Sequence, residues 1–227
     1  MTAMALAALF FAGIHPLISG SFVRGRIVGL IGEGRYRGLF SLLSLLGLVW
    51  LVFAYRAAPF EPVWTPPRWL HIVAAVLMLP AFMLVVIGNS TKGPTAIGRE
   101  HLLREPEPAR GILRVTRHPF LVGTAIWAAM HLLVLGDRAS IYFFAAFFFL
   151  GLTGPGRIDR RQRATFGEDW DRFGATTSVV PFAAILRGQN RFDAREIGLV
   201  RPAAAVAIYA LFMLVAHRFF FGVSPLG

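Results

Sequence analysis

Long apolar runs separated by short charged segments form the main pattern of this sequence. Six runs stand out, at about residues 1–22, 38–55, 69–88, 118–136, 139–153 and 203–221. A helix needs about 20 apolar residues to cross the hydrocarbon layer of a bilayer. We therefore predict an all-α fold, a polytopic transmembrane helical bundle of about six spans, surrounded by a lipid bilayer.

The fifth run, residues 139–153, is short but rich in aromatic residues (IYFFAAFFFL). Only Asp137 and Arg138 separate it from the run before. Because a two-residue connection leaves no room for a loop, we predict a tight helical hairpin here.

A charged segment of mixed sign follows the fifth run. Phe166, Trp170 and Phe173 recur in it at spacings of four and three, the period of an amphipathic helix. Because basic residues flank this helix, we expect it to lie on the cytoplasmic membrane surface. The chain then divides into a five-span core (residues 1–153), a cytoplasmic amphipathic segment (154–202) and a sixth helix with the C-terminus (203–227).

Composition excludes a soluble globular domain. Hydrophobic residues make up 56% of the chain and charged residues 15%, whereas an ordinary soluble domain carries about 25% charged residues. There is no cysteine, which excludes disulfides, zinc-thiolate sites, iron–sulfur clusters and thiolate ligation of haem.

The net charge of +11 comes from 23 Lys and Arg residues against 12 acids. Most of these basic residues fall in the segments after the first, third and fifth runs, between apolar stretches. That distribution favours membrane orientation over nucleic-acid binding, because positive loops stay in the cytoplasm. Both termini are therefore predicted to face away from the cytoplasm.

Histidines within the apolar runs are the candidate chemical groups, since ionisable residues inside spans are costly and often functional. His131 lies about 21 Å along its helix from Arg117, and His15 lies about 13 Å from Arg24. His71 is close to the outer interface, and His118 begins the fourth run.

Two uses of these rings remain open. Each imidazole can hydrogen-bond a neighbouring helix. Alternatively, two imidazoles on different helices can share a ligand, and in a protein without cysteine a bis-histidine haem is a natural choice. A helical bundle offers a site for the macrocycle.

Four sequence blocks resemble the NnrU family of bacterial membrane proteins, which is associated with denitrification and nitric oxide metabolism. The blocks are GIHPLISG, GRYRGLFSLLSLLGLVWLVFAY, PPRWLHIVAAVLMLPAFML and RHPFLVGTAIWAAMHLLVLGD, within about residues 1–153. The resemblance implies a multi-pass protein of the bacterial cytoplasmic (inner) membrane, with both termini periplasmic.

The NnrU family is similar in turn to the 15-cis-zeta-carotene isomerases, integral membrane enzymes that use haem b. That resemblance implies that His15 and His131 are the metal ligands, as axial ligands of a haem iron. Their estimated depths differ by about 8 Å, so His71, closer to His131 in depth, is the substitute cofactor-binding ligand.

The tripeptide Arg117-His118-Pro119 also resembles a segment of the isoprenylcysteine carboxyl methyltransferases, where it contacts S-adenosylmethionine. A later stretch, RRQRATFGEDWDRFGATTSVVPF, matches in order. Arg161 and Gln162 replace the acidic pair that this family has upstream, and Phe173 stands where a tyrosine is usual. By this resemblance Arg117 and His118 are cofactor-binding.

We favour an NnrU-like membrane protein that binds haem b, acting in nitric oxide or denitrification metabolism or in haem-dependent isomerisation of an apolar substrate. An S-adenosylmethionine-dependent membrane methyltransferase is the second hypothesis. The third is a non-enzymatic assembly partner of a respiratory complex. An apolar small molecule or a redox partner protein is the expected partner, and the catalytic residues are unknown.

Overall fold

The fold is helical throughout the residues that the structure, a computed structural model, describes: 1–19, 22–95 and 98–225. No β-strand occurs in these three ranges. The helices are α1 (Thr2–Ser19), α2 (Phe22–Ile31), α3 (Glu33–Ala57), α4 (Arg68–Ser90), α5 (Ile112–Val115), α6 (Pro119–Leu135), α7 (Arg138–Phe166), α8 (Glu168–Ala175), α9 (Ala183–Leu186), α10 (Ala194–Ile197) and α11 (Val200–Phe221).

Five of the described helices, α1, α3, α4, α7 and α11, are long and apolar enough to cross a membrane. The sixth apolar helix, α6, has 17 residues and is therefore about 26 Å long, close to the roughly 30 Å of a bilayer's hydrocarbon layer. The chain is a multi-pass membrane protein, and the predicted all-α polytopic bundle is confirmed.

Helix α7 lies in the middle of the bundle. It packs against α1 and α3 on one flank and against α6 on the other, while α6 packs on α4 and α4 on α11. The α1–α3–α7 contact contains buried apolar side chains: Met4, Ala7, Ala8, Phe11, Leu51, Ala139 and Ala146. The candidate histidine-bearing helices α1 and α6 therefore share α7 as their common support.

Small residues allow α4, α6 and α7 to approach closely. A Cβ atom added at Gly123 of α6 would lie 2.8 Å from the Ala81 carbonyl oxygen of α4, and one at Gly151 of α7 would lie 2.9 Å from the Leu121 carbonyl oxygen of α6. Both contacts are with backbone, which cannot move aside. Close approach of this kind holds helices together in lipid, where van der Waals packing replaces the hydrophobic effect.

The predicted tight hairpin between α6 and α7 is confirmed. Gly136 ends α6 with φ 65°, a left-handed conformation that glycine adopts without strain. Asp137 then caps α7 by accepting a hydrogen bond from the Ser140 amide at 3.0 Å. The loop before α4 closes over this turn, with the Val63 amide donating to the Gly136 carbonyl at 2.8 Å.

Helix α7 extends well beyond the predicted fifth run. It continues to Phe166, whereas the apolar run ends near residue 153. Charged residues end a hydropathy run but do not break a helix, and the break comes at Gly167, where φ is 50°. The proposed domain boundary at residue 153 stays a prediction, although the helix passes through it without interruption.

The amphipathic segment packs its apolar face inside the protein, and its expected position on the membrane surface stays a prediction. Trp170 and Phe173 of α8 are 2% and 0% exposed, and they pack with Leu103 and Ala109 from the segment that follows α4. The apolar face of α8 is therefore buried inside the protein. The predicted helical period of apolar residues is confirmed, and the apolar face that it forms packs against the segment after α4.

An ion pair between Arg114 and Glu196 connects the segment after α4 to α10, which precedes α11. Glu196 accepts two hydrogen bonds from Arg114, both at 2.7 Å, and one from the Gly111 amide at 2.6 Å. The hydrogen bonds from the Arg114 guanidinium are the main cause that lowers the pKa of Glu196. In turn, the hydrogen bond to Glu196 raises the pKa of Arg114.

Replacing Gly123 with alanine should destabilise the bundle by about 1–3 kcal/mol, because the new methyl group would overlap the α4 backbone. We expect a lower midpoint of thermal unfolding in detergent. Gly38→Ala is the matched control, since a Cβ at Gly38 of α3 meets nothing within 4 Å. Equal thermal midpoints for the two variants would contradict the close α4–α6 packing.

Acid should weaken the ion pair between Glu196 and Arg114. Because the pKa of Glu196 is lowered in the folded protein, its stabilising effect is complete above its ordinary pKa and is lost as the pH falls through the lowered value. Glu196→Gln should therefore unfold at a lower temperature than wild type at pH 7, with the difference shrinking on acidification. Glu105→Gln, at an exposed position nearby, should match wild type at both pH values.

Candidate functional site

His131 lies in an aromatic environment between α6 and α7. Its ring stacks on Phe144 at 4.5 Å between ring centroids, with 14° between the ring planes, and its other neighbour is Trp127 at 5.1 Å. The Nδ1 atom is 2.9 Å from the Trp127 carbonyl oxygen one turn earlier. Because a carbonyl oxygen only accepts, Nδ1 carries the proton, and Nε2 keeps the lone pair that binds metals.

His15 has the same arrangement on α1. Its Nδ1 donates to the Phe11 carbonyl oxygen at 2.8 Å, which again leaves the lone pair on Nε2. The residues His15–Ser19 form a π-helical turn, next to Pro16, which cannot donate the usual backbone hydrogen bond. Single π turns inside helices are frequent at functional sites.

Three aromatic rings connect the two histidines across α7. The ring of His15 contacts Phe11 at 5.2 Å, Phe11 contacts Phe147 at 5.2 Å, and Phe147 contacts Trp127 at 5.3 Å. We call Phe11, Phe147 and Trp127 the aromatic row. Phe147 of α7 thus touches a ring from α1 and a ring from α6, and it lies between those two helices.

The two histidines lie at different depths in the bundle. His131 stacks on Phe144, whereas His15 is close enough to Arg157 for their charges to interact. Phe144 and Arg157 are separated by about 20 Å along α7. His15 therefore lies toward the basic end, and His131 lies toward the end that carries His217, with which it interacts electrostatically.

Each ring on its own suits an axial ligand of haem iron, because it is part-buried, held by its backbone hydrogen bond and presents a free Nε2 lone pair. In this structure the rings of the aromatic row lie between the two histidines. The pairing of His15 with His131 stays a prediction.

His71, the substitute ligand, lies one turn into α4. Helix α4 runs antiparallel to α6, because Gly88 faces Pro119 and Gly123 faces Ala81. Continuing this pairing places His71 opposite the Gly136 turn, about 8 Å along the helix axis from His131. His71 thus lies nearer than His131 to the end of the bundle that carries the Gly136 turn.

Arg117 and His118 form an ion-pair network with Asp159 of α7. The Asp159 carboxylate accepts from His118 Nε2 at 2.7 Å and from Arg117 at 2.6 and 3.0 Å. Arg117 also donates to the Thr177 carbonyl oxygen at 3.0 Å. The network therefore joins the start of α6 to the charged part of α7 and to the loop after α8.

This network occupies the groups that the methyltransferase hypothesis assigned to cofactor binding. The side chain of His118 is 3% exposed and that of Arg117 is 16% exposed, and Phe173 is fully buried. Their hydrogen bonds and packing are already used within the protein. The binding of S-adenosylmethionine stays a prediction that no contact of these residues favours.

Sequence reasoning did not single out Asp159. The one available signal is that Asp159 is the only acid between Asp137 and Glu168, in a stretch that otherwise carries arginines. A lone carboxylate among cations is expected to be paired, but its partners come from about 40 residues earlier in the chain.

Comparisons with known proteins identify relatives along nearly the whole chain. A family model described as NnrU protein matches residues 3–225, further than the four blocks recognised in the sequence. No solved structure matches the chain significantly.

Curated relatives include two plant enzymes. The chain is 29% identical over 206 residues to the chloroplastic 15-cis-zeta-carotene isomerase of Arabidopsis thaliana, which covers 83% of this chain and 51% of that protein. It is 33% identical over 109 residues to the chloroplastic 15-cis-zeta-carotene isomerase of Zea mays, which covers 47% and 30%. The chain thus spans about half the length, or less, of these relatives.

Removing the Asp159 charge should destabilise the protein. Asp159→Asn leaves Arg117 without its anionic partner at a mostly buried position, a loss of about 2 kcal/mol. We expect a clear fall in the thermal midpoint in detergent. Asp169→Asn removes the same charge from pairs whose arginines are 82% and 53% exposed, and it should cost less than about 1 kcal/mol. Similar losses in both variants would contradict a special role for Asp159.

Proposed function

Since this chain belongs to the NnrU family, we propose that it is a membrane isomerase that binds haem b and acts on an apolar, polyene-type substrate. The similarity to two 15-cis-zeta-carotene isomerases supports the reaction class. The link to nitric oxide and denitrification metabolism, and a role as a respiratory assembly partner, stay predictions.

One observation carries the proposal: the aromatic row connects two part-buried histidines that both present a free Nε2 lone pair. A histidine with a purely structural role inside a membrane needs hydrogen-bond partners for its ring nitrogens and nothing more. Two rings with the same unused nitrogen, at either end of one aromatic surface, are an arrangement suited to a ligand.

The aromatic row supports an apolar substrate. Phe147 and Trp127 are only partly buried, and Phe147 lies between α1 and α6, so a flat hydrocarbon chain entering from the lipid would pack against these two rings. Stacked and edge-on contacts of this kind add to the energy of apolar burial.

His131 is the better supported haem ligand of the two. Trp127 and Phe144 both contact its ring, and the hydrogen bond to the Trp127 carbonyl fixes its orientation, which is the usual role of such a partner for a ligating histidine. Bound haem would supply a Lewis-acidic iron to an adjacent double bond. The second axial nitrogen would come from His15 or His71.

The test is the absorption spectrum of the full chain purified in detergent, together with an isomerisation assay on a cis polyene. We expect a Soret band that moves on reduction with dithionite. His131→Ala should lose most of that band and of the activity, because it removes the proposed ligand. His15→Ala and His71→Ala should then show which of the two supplies the second nitrogen, by a changed band position.

His101→Ala is the matched control, since His101 lies exposed in the loop after α4 and should leave spectrum and activity unchanged. A colourless preparation would overturn the haem proposal. A normal band that survives both His15→Ala and His131→Ala would overturn the ligand assignment. Haem binding without any turnover of a cis polyene would overturn the isomerase proposal alone.

A further inference from the structure

A cluster of arginines surrounds one carboxylate where α2 meets α3. Glu33, the first residue of α3, accepts hydrogen bonds from Arg24 of α2 at 2.7 and 2.8 Å and from Arg37 at 2.8 Å. Arg161 of α7 is close enough to interact electrostatically with all three of these side chains. The cluster therefore brings three guanidinium groups to one carboxylate and has excess positive charge.

The geometry of Arg24 is incomplete for an arginine–carboxylate pair. The favoured arrangement uses two nitrogens for two oxygens, but Arg24 donates to both Glu33 oxygens from the single nitrogen Nη2. Its Nε atom is buried and has no hydrogen-bond partner among the described residues. One strong donor in this cluster is thus left without an acceptor.

Tyr36 provides a second such group. It is 5% exposed, and among the described residues its buried hydroxyl has no partner at full hydrogen-bond geometry, only a looser interaction with the Arg24 guanidinium. The Arg24 guanidinium lies over its ring at 5.3 Å, and Arg161 interacts with it electrostatically. A buried polar atom without a partner is costly, and here two of them lie together beside a surplus cation.

Of the ion pairs among the described residues, none includes Arg161. Its charge is repelled by Arg24 and Arg37 and attracted by Glu33 and Tyr36. An anion with several acceptor oxygens would relieve this repulsion and supply the acceptor that Arg24 lacks. A phosphate group offers at least three acceptor oxygens and more negative charge than a carboxylate, so it suits a cluster with surplus arginines better.

We propose that Arg24, Tyr36 and Arg161 form a binding site for a phosphate group, carried by an anionic lipid headgroup or by free phosphate. The site lies at the basic end of the bundle, where spans meet the membrane surface and anionic headgroups collect opposite arginines. Binding of phosphate there would require neither haem nor the proposed isomerase activity.

The test measures the thermal midpoint of the full chain in nanodiscs of phosphatidylcholine, with or without phosphatidylglycerol, and in detergent with added inorganic phosphate at constant ionic strength. A ligand that binds only the folded state raises the midpoint. We expect a rise with at least one of the two probes. Arg161→Gln and Tyr36→Phe should each weaken the binding of that probe about tenfold, as expected for one lost charge-assisted hydrogen bond.

Arg163→Gln is the matched control. Arg163 lies on the same helix and is exposed, as Arg161 is, but it is paired with Asp171, so its loss removes an equal charge and should leave binding unchanged. A rise with phosphatidylglycerol alone identifies a lipid headgroup as the source, and a rise with inorganic phosphate identifies the free anion. No rise with either probe, or equal weakening by Arg163→Gln, would overturn the proposal.

Discussion

The exclusion of charge from the hydrocarbon layer is the constraint on which this structure depends. Helix α7 shows it most directly, since its first half carries the aromatic residues and its second half carries Arg157, Asp159 and Arg161. With 29 residues it is longer than a single crossing needs, and its charged half extends past the apolar run. Because α1, α3 and α6 all pack on α7, this one division of polarity also sets where the aromatic row and the basic end lie.

Arginines at the basic end differ in how completely they are paired. Arg117 shares the Asp159 carboxylate with His118 and also reaches a carbonyl oxygen, so its donors serve the fold. Arg24 and Arg37 share Glu33, and the Nε atom of Arg24 is left without an acceptor among the described residues. Basic residues that look alike in a hydropathy plot therefore have distinct roles, and only the position of the acids separates them. Asp159 supplies hydrogen-bond acceptors for both Arg117 and His118, whereas Glu33 leaves the Nε atom of Arg24 without an acceptor among the described residues.

Most of the architecture could be predicted from the sequence, because length and apolarity alone determine what can cross a bilayer. The end of α7 could not, since hydropathy ends where charge begins but a helix ends only where its backbone changes, here at Gly167. The location of α8 could not either. Its apolar period was visible, but Trp170 packs on Leu103, and a period does not say which surface it will face.

The candidate site was predictable in its residue types and not in its arrangement. His15 and His131 stand out as ionisable groups within apolar runs, and their depths could be estimated from the helical rise. The ring nitrogen that remains free depends on backbone hydrogen bonds made only in the folded helix. Nothing in the sequence separates Phe147 from the other phenylalanines among the 21, because its role depends on its contacts with rings of α1 and α6 in the folded protein.

The π-helical turn at His15–Ser19 connects the two regions that we propose to be functional. His15 contacts Phe11 at one end of the aromatic row, and its ring also interacts electrostatically with Arg157. Arg157 lies one turn from Arg161 on α7. A phosphate group bound near Arg161 would reduce the positive potential that His15 experiences, by simple Coulomb attraction. In a low-dielectric bundle such an effect persists over several ångströms. The anionic site and the histidine are thus electrostatically linked by the charged half of α7, even though no hydrogen bond joins them.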